Sequence, residues 1–202
     1  MVLIYFELLL KAFAGNRIWD HLIYPILFGI GLGLIFSCIT TFFSAKVNKI
    51  ISLVVLFGTG LLFIVECLIF RSFQFYMSFS GIGSVTNDVT GDYMQTVIQA
   101  IVSSIPIIVL FFLPGILYWV FWKKYLCVEK VKKHISAIIL AGGILVTVIG
   151  VLWANSGSIS SKYTSEYQFT SATQNFGLIS SMQLDIFYGI FGNSASENLV
   201  IV

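Results

Sequence analysis

The side chains that could do chemistry in this chain are few and lie within or beside apolar segments. Glu7 and Lys11 stand four residues apart, in an order that lets the charges partly neutralise each other on one helix face. Glu66 lies inside an apolar run, which makes it a functional candidate, although near the run's outer end it could also reach water or Arg71. Together with Asp185, these residues are candidate contacts for lipid headgroups or for polar groups within a helix bundle.

No pattern in the sequence indicates a catalytic or metal-binding set. His21 and His134 flank different apolar segments, and the three cysteines have neither paired nor metal-ligand spacing. A phosphate-binding glycine loop and a nucleophile elbow are both missing from the sequence. We therefore expect no catalytic residue, cofactor site or metal site in these 202 residues.

The composition is that of an integral membrane protein. Hydrophobic residues make up 58% of the chain, charged residues 10%, and the mean hydropathy is +0.97. A net charge of +2 without a basic stripe gives no reason to expect a nucleic-acid partner. The bilayer is the expected partner instead.

Long uncharged runs predict an all-α fold with about five transmembrane helices, because about 20 apolar residues cross a bilayer and helices satisfy their own backbone groups. The first helix is short, and its start lacks the basic residues and cleavage site of a signal peptide. The predicted spans are Val2–Ala14, Leu22–Phe43, Ile50–Phe70, Val97–Trp122 and Ile135–Ala154.

Basic residues predict the orientation of the chain in the cell membrane. Lys46 and Lys49 lie between the second and third spans, and five lysines from Lys123 to Lys133 lie between the fourth and fifth. Because short basic loops stay in the cytoplasm, the N-terminus is predicted to be cytoplasmic and the C-terminus extracellular.

Two of the predicted spans have features that affect packing. Small residues and proline recur at every fourth position of the second span, at Pro25, Gly29, Gly33, Ser37 and Thr41. Such a face lets a neighbouring helix approach, and packing within the bundle is favoured over a dimer contact. Pro106 and Pro114 predict bends in the fourth span.

Residues 155–197 are predicted to form an extracellular linker that contains an amphipathic helix over about 171–191. This helix would lie in the outer interface or dock on protein. Its apolar side comprises Phe176, Ile179, Met182, Ile186, Phe187 and Ile190, and the opposite side Gly177, Ser181, Asp185 and Tyr188. Residues 198–202 read as the first strand of a further domain.

The order of these features resembles the membrane portion of the lipoteichoic acid synthase family, the sulfatase-like phosphoglycerol transferases of Gram-positive cell envelopes. The resemblance covers essentially the whole chain. The most specific segment is QNFGLISSMQLDIFYGIFG at Gln174–Gly192, because the family has a similar Phe-Gly-Leu and Leu-Asp segment there. The others are YFELLLKAF at Tyr5–Phe13, SAKVNKIISLVVLF at Ser44–Phe57 and WKKY at Trp122–Tyr125.

The resemblance implies that residues 1–154 anchor an extracellular alkaline-phosphatase-like domain beside phosphatidylglycerol. In that family the external domain transfers glycerol phosphate from this lipid to a growing polymer through a covalent phospho-threonine. Its threonine and manganese ligands would lie beyond Val202, so none is assigned to a residue here. The chain alone is expected to be inactive.

Two other functions remain open from the sequence. A small transporter or channel could use Glu7, Glu66 and the bends at Pro106 and Pro114 to line a path, although no inverted repeat or pair of broken helices is visible. A membrane scaffold without enzymatic activity could recruit partners through the loop Ser72–Asp92.

Overall fold

A computed structural model describes residues 1–14, 19–41, 43–78, 98–125, 133–157, 159–164 and 167–191. Within these ranges the chain is helical and contains no strand, which confirms the all-α prediction. The helices are α1 (Val2–Phe13), α2 (Ile23–Thr41), α3 (Ala45–Phe73), α4 (Ile105–Tyr125), α5 (Lys133–Ser156), α6 (Ser160–Tyr163), α7 (Phe169–Phe176) and α8 (Leu178–Phe191). The predicted strand at 198–202 and most of the loop Ser72–Asp92 lie outside the described residues.

Helices α2 to α5 are each long and apolar enough to cross a membrane. Large apolar side chains remain exposed along them, as at Val54, Val120 and Leu145, because their solvent is lipid. Helix α1 has 12 residues and rises only about 18 Å, so it is shorter than the roughly 30 Å of bilayer hydrocarbon. The chain is therefore a multi-pass membrane protein with a short first helix.

Two helix starts differ from the predicted spans. Helix α3 begins at Ala45 rather than near residue 50, so Lys46 and Lys49 lie in its first turns. The fourth span is interrupted: residues 98–103 are helical, Ser104 forms a turn, and α4 starts one residue before Pro106. This agrees with a break near Pro106, since proline fits the first turn of a helix but not its interior. Pro114 lies inside α4.

Two spanning helices approach each other closely at Gly31 of α2 and Gly143 of α5. A Cβ atom on Gly143 would lie 2.9 Å from the Gly31 carbonyl oxygen, and one on Gly31 would collide with Thr147 Oγ1. The backbones of α2 and α5 therefore touch, as small residues allow in membrane helices.

The predicted small-residue face of α2 is used only in part. Gly29 lies against α1, where a Cβ atom would be 2.9 Å from Ile4 Cγ1, whereas Gly33 has open space around it. Gly31, which the four-residue spacing omitted, makes the tighter contact. Helix α2 thus uses neighbouring faces for α1 and α5.

Helices α6 to α8, here called the outer layer, cover the ends of the bundle instead of forming an extended linker. Leu178 and Met182 of α8 join an apolar cluster with Phe6 of α1 and Phe63 of α3. A second cluster combines Phe176 of α7 with Tyr24, Phe28 and Ala154, and it also includes Leu184 of α8. Each buried large apolar side chain contributes about 1.5–3 kcal/mol, so the outer layer is firmly docked.

The prediction of one continuous helix over about 171–191 was wrong. The chain breaks at Gly177 into α7 and α8. The predicted outward side was also wrong in part, because Ser181 and Asp185 are 1% and 8% exposed while Ile190 is 70% exposed. Serine hydroxyls can be buried here because that of Ser181 donates to the Gly177 carbonyl oxygen at 2.8 Å.

The contact of α2 with α5 yields a matched pair of variants. We expect Gly143→Ala to be less stable than Gly142→Ala by about 1–3 kcal/mol, because only the first methyl group meets neighbouring backbone. Both substitutions gain the same helix propensity, so the difference isolates the contact. Thermal unfolding in detergent, followed by circular dichroism, measures it. Equal midpoints for the two variants would contradict the contact.

Candidate functional site

The most specific polar arrangement among the described residues joins the first helix to the last. Glu7 of α1 is 3% exposed, and its carboxylate accepts hydrogen bonds from two backbone amides at the start of α8. The Leu178 N–H donates to Glu7 Oε2 and the Ile179 N–H to Glu7 Oε1, each at 3.0 Å. These amides have no partner within their own helix, and a negative charge is favoured at a helix N-terminus. Glu7 therefore acts as an N-terminal cap supplied by another helix.

Gly177 makes this cap possible. Its φ is +97° and its ψ is 160°, a conformation that only glycine adopts readily. A Cβ atom at this position would lie between 2.9 and 3.0 Å from all three carboxyl atoms of Glu7. Glycine is thus required both for the turn between α7 and α8 and for the approach of the carboxylate.

Lys11 lies one turn beyond Glu7 and is also buried, at 3% exposure. Its Nζ donates to the Asp20 carbonyl oxygen at 2.7 Å. Lys11 therefore links α1 to Asp20, which lies shortly before α2.

Glu66 of α3 performs a similar function in the turn that follows its own helix. The side chain is 5% exposed, and its Oε2 accepts a hydrogen bond from the Met77 N–H at 3.0 Å. Next to that amide, the Tyr76 N–H donates to Thr170 Oγ1 of α7 at 3.1 Å. Glu66 therefore holds the turn after α3 in a position where it also contacts the outer layer.

The structure separates the candidate residues into two groups. Glu7, Lys11 and Glu66 are buried and bond to backbone groups. Arg71 is exposed at the end of α3, and Asp185 is buried in α8. The five residues do not form one cleft of the kind that catalysis would require. No cluster of three metal-ligating side chains occurs among the described residues.

Sequence reasoning found both acids but missed their partners. Every residue except proline has a backbone N–H, so the sequence does not show which amides bind Glu7. The contact with Leu178 could therefore not be predicted. The available signal was Gly177, a glycine inside a helical pattern, which indicates a break or a close contact. Thr170 and Tyr167 were missed as well; the Tyr167 hydroxyl donates to the Ser181 carbonyl oxygen at 3.1 Å.

Comparison of the chain with known protein families, with curated proteins and with solved structures gives no match. The fold and the site therefore define the class on their own. This is a polytopic all-α membrane protein in which two buried carboxylates help to hold an outer helical layer on the bundle.

The two acids serve as controls for each other. In Glu7→Gln the amide oxygen accepts only one of the two N–H groups, and the amide nitrogen faces the other. We expect hydrogen exchange at residues 178 and 179 to speed up by roughly tenfold, about the loss of one hydrogen bond to a charged group. Glu66→Gln should change exchange at Met77 and leave 178 and 179 protected.

Residue-resolved hydrogen exchange with mass spectrometry in lipid nanodiscs measures both effects. Faster exchange at 178 and 179 in Glu66→Gln, or none in Glu7→Gln, would show that the Glu7 carboxylate does not hold α8.

Proposed function

We propose that this chain is the membrane domain of a lipoteichoic-acid-synthase-like glycerol phosphate transferase in a Gram-positive cell envelope. Its task is to hold an extracellular sulfatase-like domain at the surface of the membrane, beside phosphatidylglycerol. The catalytic threonine and the manganese ligands belong to that external domain.

The observation that carries this proposal is the fastening of α8 to α1 through Glu7. Two hydrogen bonds of 3.0 Å and the buried Leu178 fix the start of α8 on the bundle. A domain that follows such a helix starts from a defined place instead of diffusing on a flexible tether. A fixed starting point suits an enzyme whose lipid substrate stays in the bilayer.

The same contacts weigh against the transporter reading. An ion or proton path needs ionisable groups that face a cavity and exchange partners. Glu7 and Glu66 instead accept hydrogen bonds from backbone amides that have no other partner in their helix or turn. Moving a charge through either site would break the attachment of the outer layer.

The proposal requires the outer layer to be extracellular. In a Cys127→Ser background, Thr164→Cys should react with a membrane-impermeant maleimide on intact cells, because Thr164 is exposed in the outer layer. Ser44→Cys, which is exposed at the start of α3, should react only after the membrane is opened. Cys38 and Cys67 are buried and give little background. The reverse labelling pattern would refute an extracellular catalytic domain.

The division of labour can be tested by activity. The purified chain, given phosphatidylglycerol and manganese, is expected to release no diacylglycerol above a control without protein. The same membrane domain joined to the sequence encoded after Val202 is expected to release it. Turnover by the 202-residue chain would overturn the anchor function. A following sequence without an acidic metal ligand and a threonine would overturn the assignment to this enzyme class.

A further inference from the structure

The two halves of α8 have different surroundings. The first half, up to Asp185, is mostly buried against the rest of the protein. After Asp185 four large apolar side chains are exposed, and Ile190 reaches 70%. These side chains, here called the apolar face, are Ile186, Phe187, Ile190 and Phe191. The second half of α8 therefore needs a neighbour other than the bundle.

The apolar face occupies one side of the helix. Its four positions span an arc of about 140°, at 3.6 residues per turn. The rings of Phe187 and Phe191 are 4.8 Å apart, so they form one surface. The opposite side of α8 carries Ser181 and Asp185, which are buried. This is the reverse of a helix on a water-soluble surface, whose polar side faces outward.

The second half of α8 passes beside the end of a membrane-spanning helix. Phe187 and Val151 of α5 line the same cavity, which has a volume of about 400 Å³. Val151 lies about 7.5 Å before the end of α5 at Ser156. The next two residues of α5, Leu152 and Trp153, are exposed, and tryptophan is typical of the membrane interface. The apolar face therefore lies near the level where hydrocarbon meets the headgroups, and it continues the lipid-facing surface of α5.

No charged side chain contributes to the apolar face. Helix α8 has no lysine or arginine, and its one acid, Asp185, is buried. Such a helix has no basic residue to attract anionic lipids, so apolar area alone would supply its affinity for a membrane. A soluble protein could cover this surface only by entering the headgroup region, where lipid is already present.

We propose that the apolar face of α8 is inserted into the bilayer at the boundary between headgroups and hydrocarbon, on the side of the membrane that carries the outer layer. Helix α8 is then held at two places by two different interactions. The Glu7 carboxylate holds its start, and lipid holds its end. Lipids of any headgroup charge can supply the second attachment, and it does not depend on the enzyme class proposed above.

Spin labels on the full 202-residue chain in phosphatidylcholine nanodiscs test the insertion. In a Cys127→Ser background, a label on Ile190→Cys should collide more often with oxygen, which dissolves in hydrocarbon, than with a water-soluble nickel chelate. Leu145→Cys, on the exposed side of α5, should show the same order. Thr164→Cys, which is exposed in the outer layer, should show the opposite order. Added phosphatidylglycerol should leave the order at Ile190→Cys unchanged.

A charge in the apolar face should release only the end of α8. In Ile190→Glu we expect hydrogen exchange over residues 186–191 to speed up by at least roughly tenfold, the factor expected when one large apolar side chain loses its burial. Gln183→Glu is the matched control, since it adds the same charge at an exposed position outside the apolar face. Residues 178 and 179 should stay protected in both variants, because Glu7 still binds their amides.

Four results would overturn the proposal. A label on Ile190→Cys that meets the nickel chelate more often than oxygen would place the face in water. A label that meets neither would show that protein covers the face, either a second copy or another part of this chain. Insertion only with phosphatidylglycerol present, or equal exchange in Ile190→Glu and Gln183→Glu, would contradict an apolar attachment. None of these measurements involves glycerol phosphate transfer, so they leave the proposed enzyme class unaffected, and loss of that assignment would leave these expectations unchanged.

Discussion

A buried carboxylate that serves two backbone amides is the interaction on which the outer layer depends. The first amides of a helix have no partner within the helix, and lipid or apolar side chains offer none. Without Glu7, two backbone amides at the start of α8 would be buried without a hydrogen-bond partner, which is costly. With it, Leu178 and Met182 can enter the same apolar cluster as Phe6 and Phe63. The polar contact therefore permits the apolar one.

The carboxylate also has requirements of its own. A charge at that depth is costly unless it is hydrogen-bonded, and the amides of Leu178 and Ile179 meet that need. Each partner thus lowers the free-energy cost of burying the other. The contact requires the chain to turn at Gly177, in a conformation that other residues avoid. Glu66 and the Met77 amide form the same kind of hydrogen bond after α3.

Much of the fold could be predicted because charge is excluded from lipid. Runs without acidic or basic residues marked the four long helices, and their ends differ from prediction mainly where basic residues lie within a helix, as at Lys46 and Lys49. Helix packing was less predictable. The four-residue spacing selected Gly29 and Gly33, but the tightest contact is at Gly31, because its partner Gly143 is distant in sequence.

The sequence predicted which side chains belong to the candidate site, but not the groups that they bind. Glu7 and Glu66 stood out because acids are rare in apolar segments. Their partners are main-chain groups, and any residue type supplies such a group. The periodicity of 171–191 likewise predicted a helix but not the break at Gly177. That break places two backbone amides against a carboxylate of another helix, and the sequence of 171–191 does not contain this partner. Ser181 and Asp185 were placed outward because a helical period alone does not show which polar groups have partners.

The separation of Glu7 from its two amides has a consequence for biosynthesis. The donors lie 171 and 172 residues after the acid. At 5–20 residues per second, about 10–30 s pass between the synthesis of the two halves of the cap. During that interval α1 carries a carboxylate without its final partners, so it is expected to wait at the membrane surface or beside the insertion machinery. The final packing of α1 against α8 is therefore expected to follow the synthesis of α8, although α1 is the first helix made.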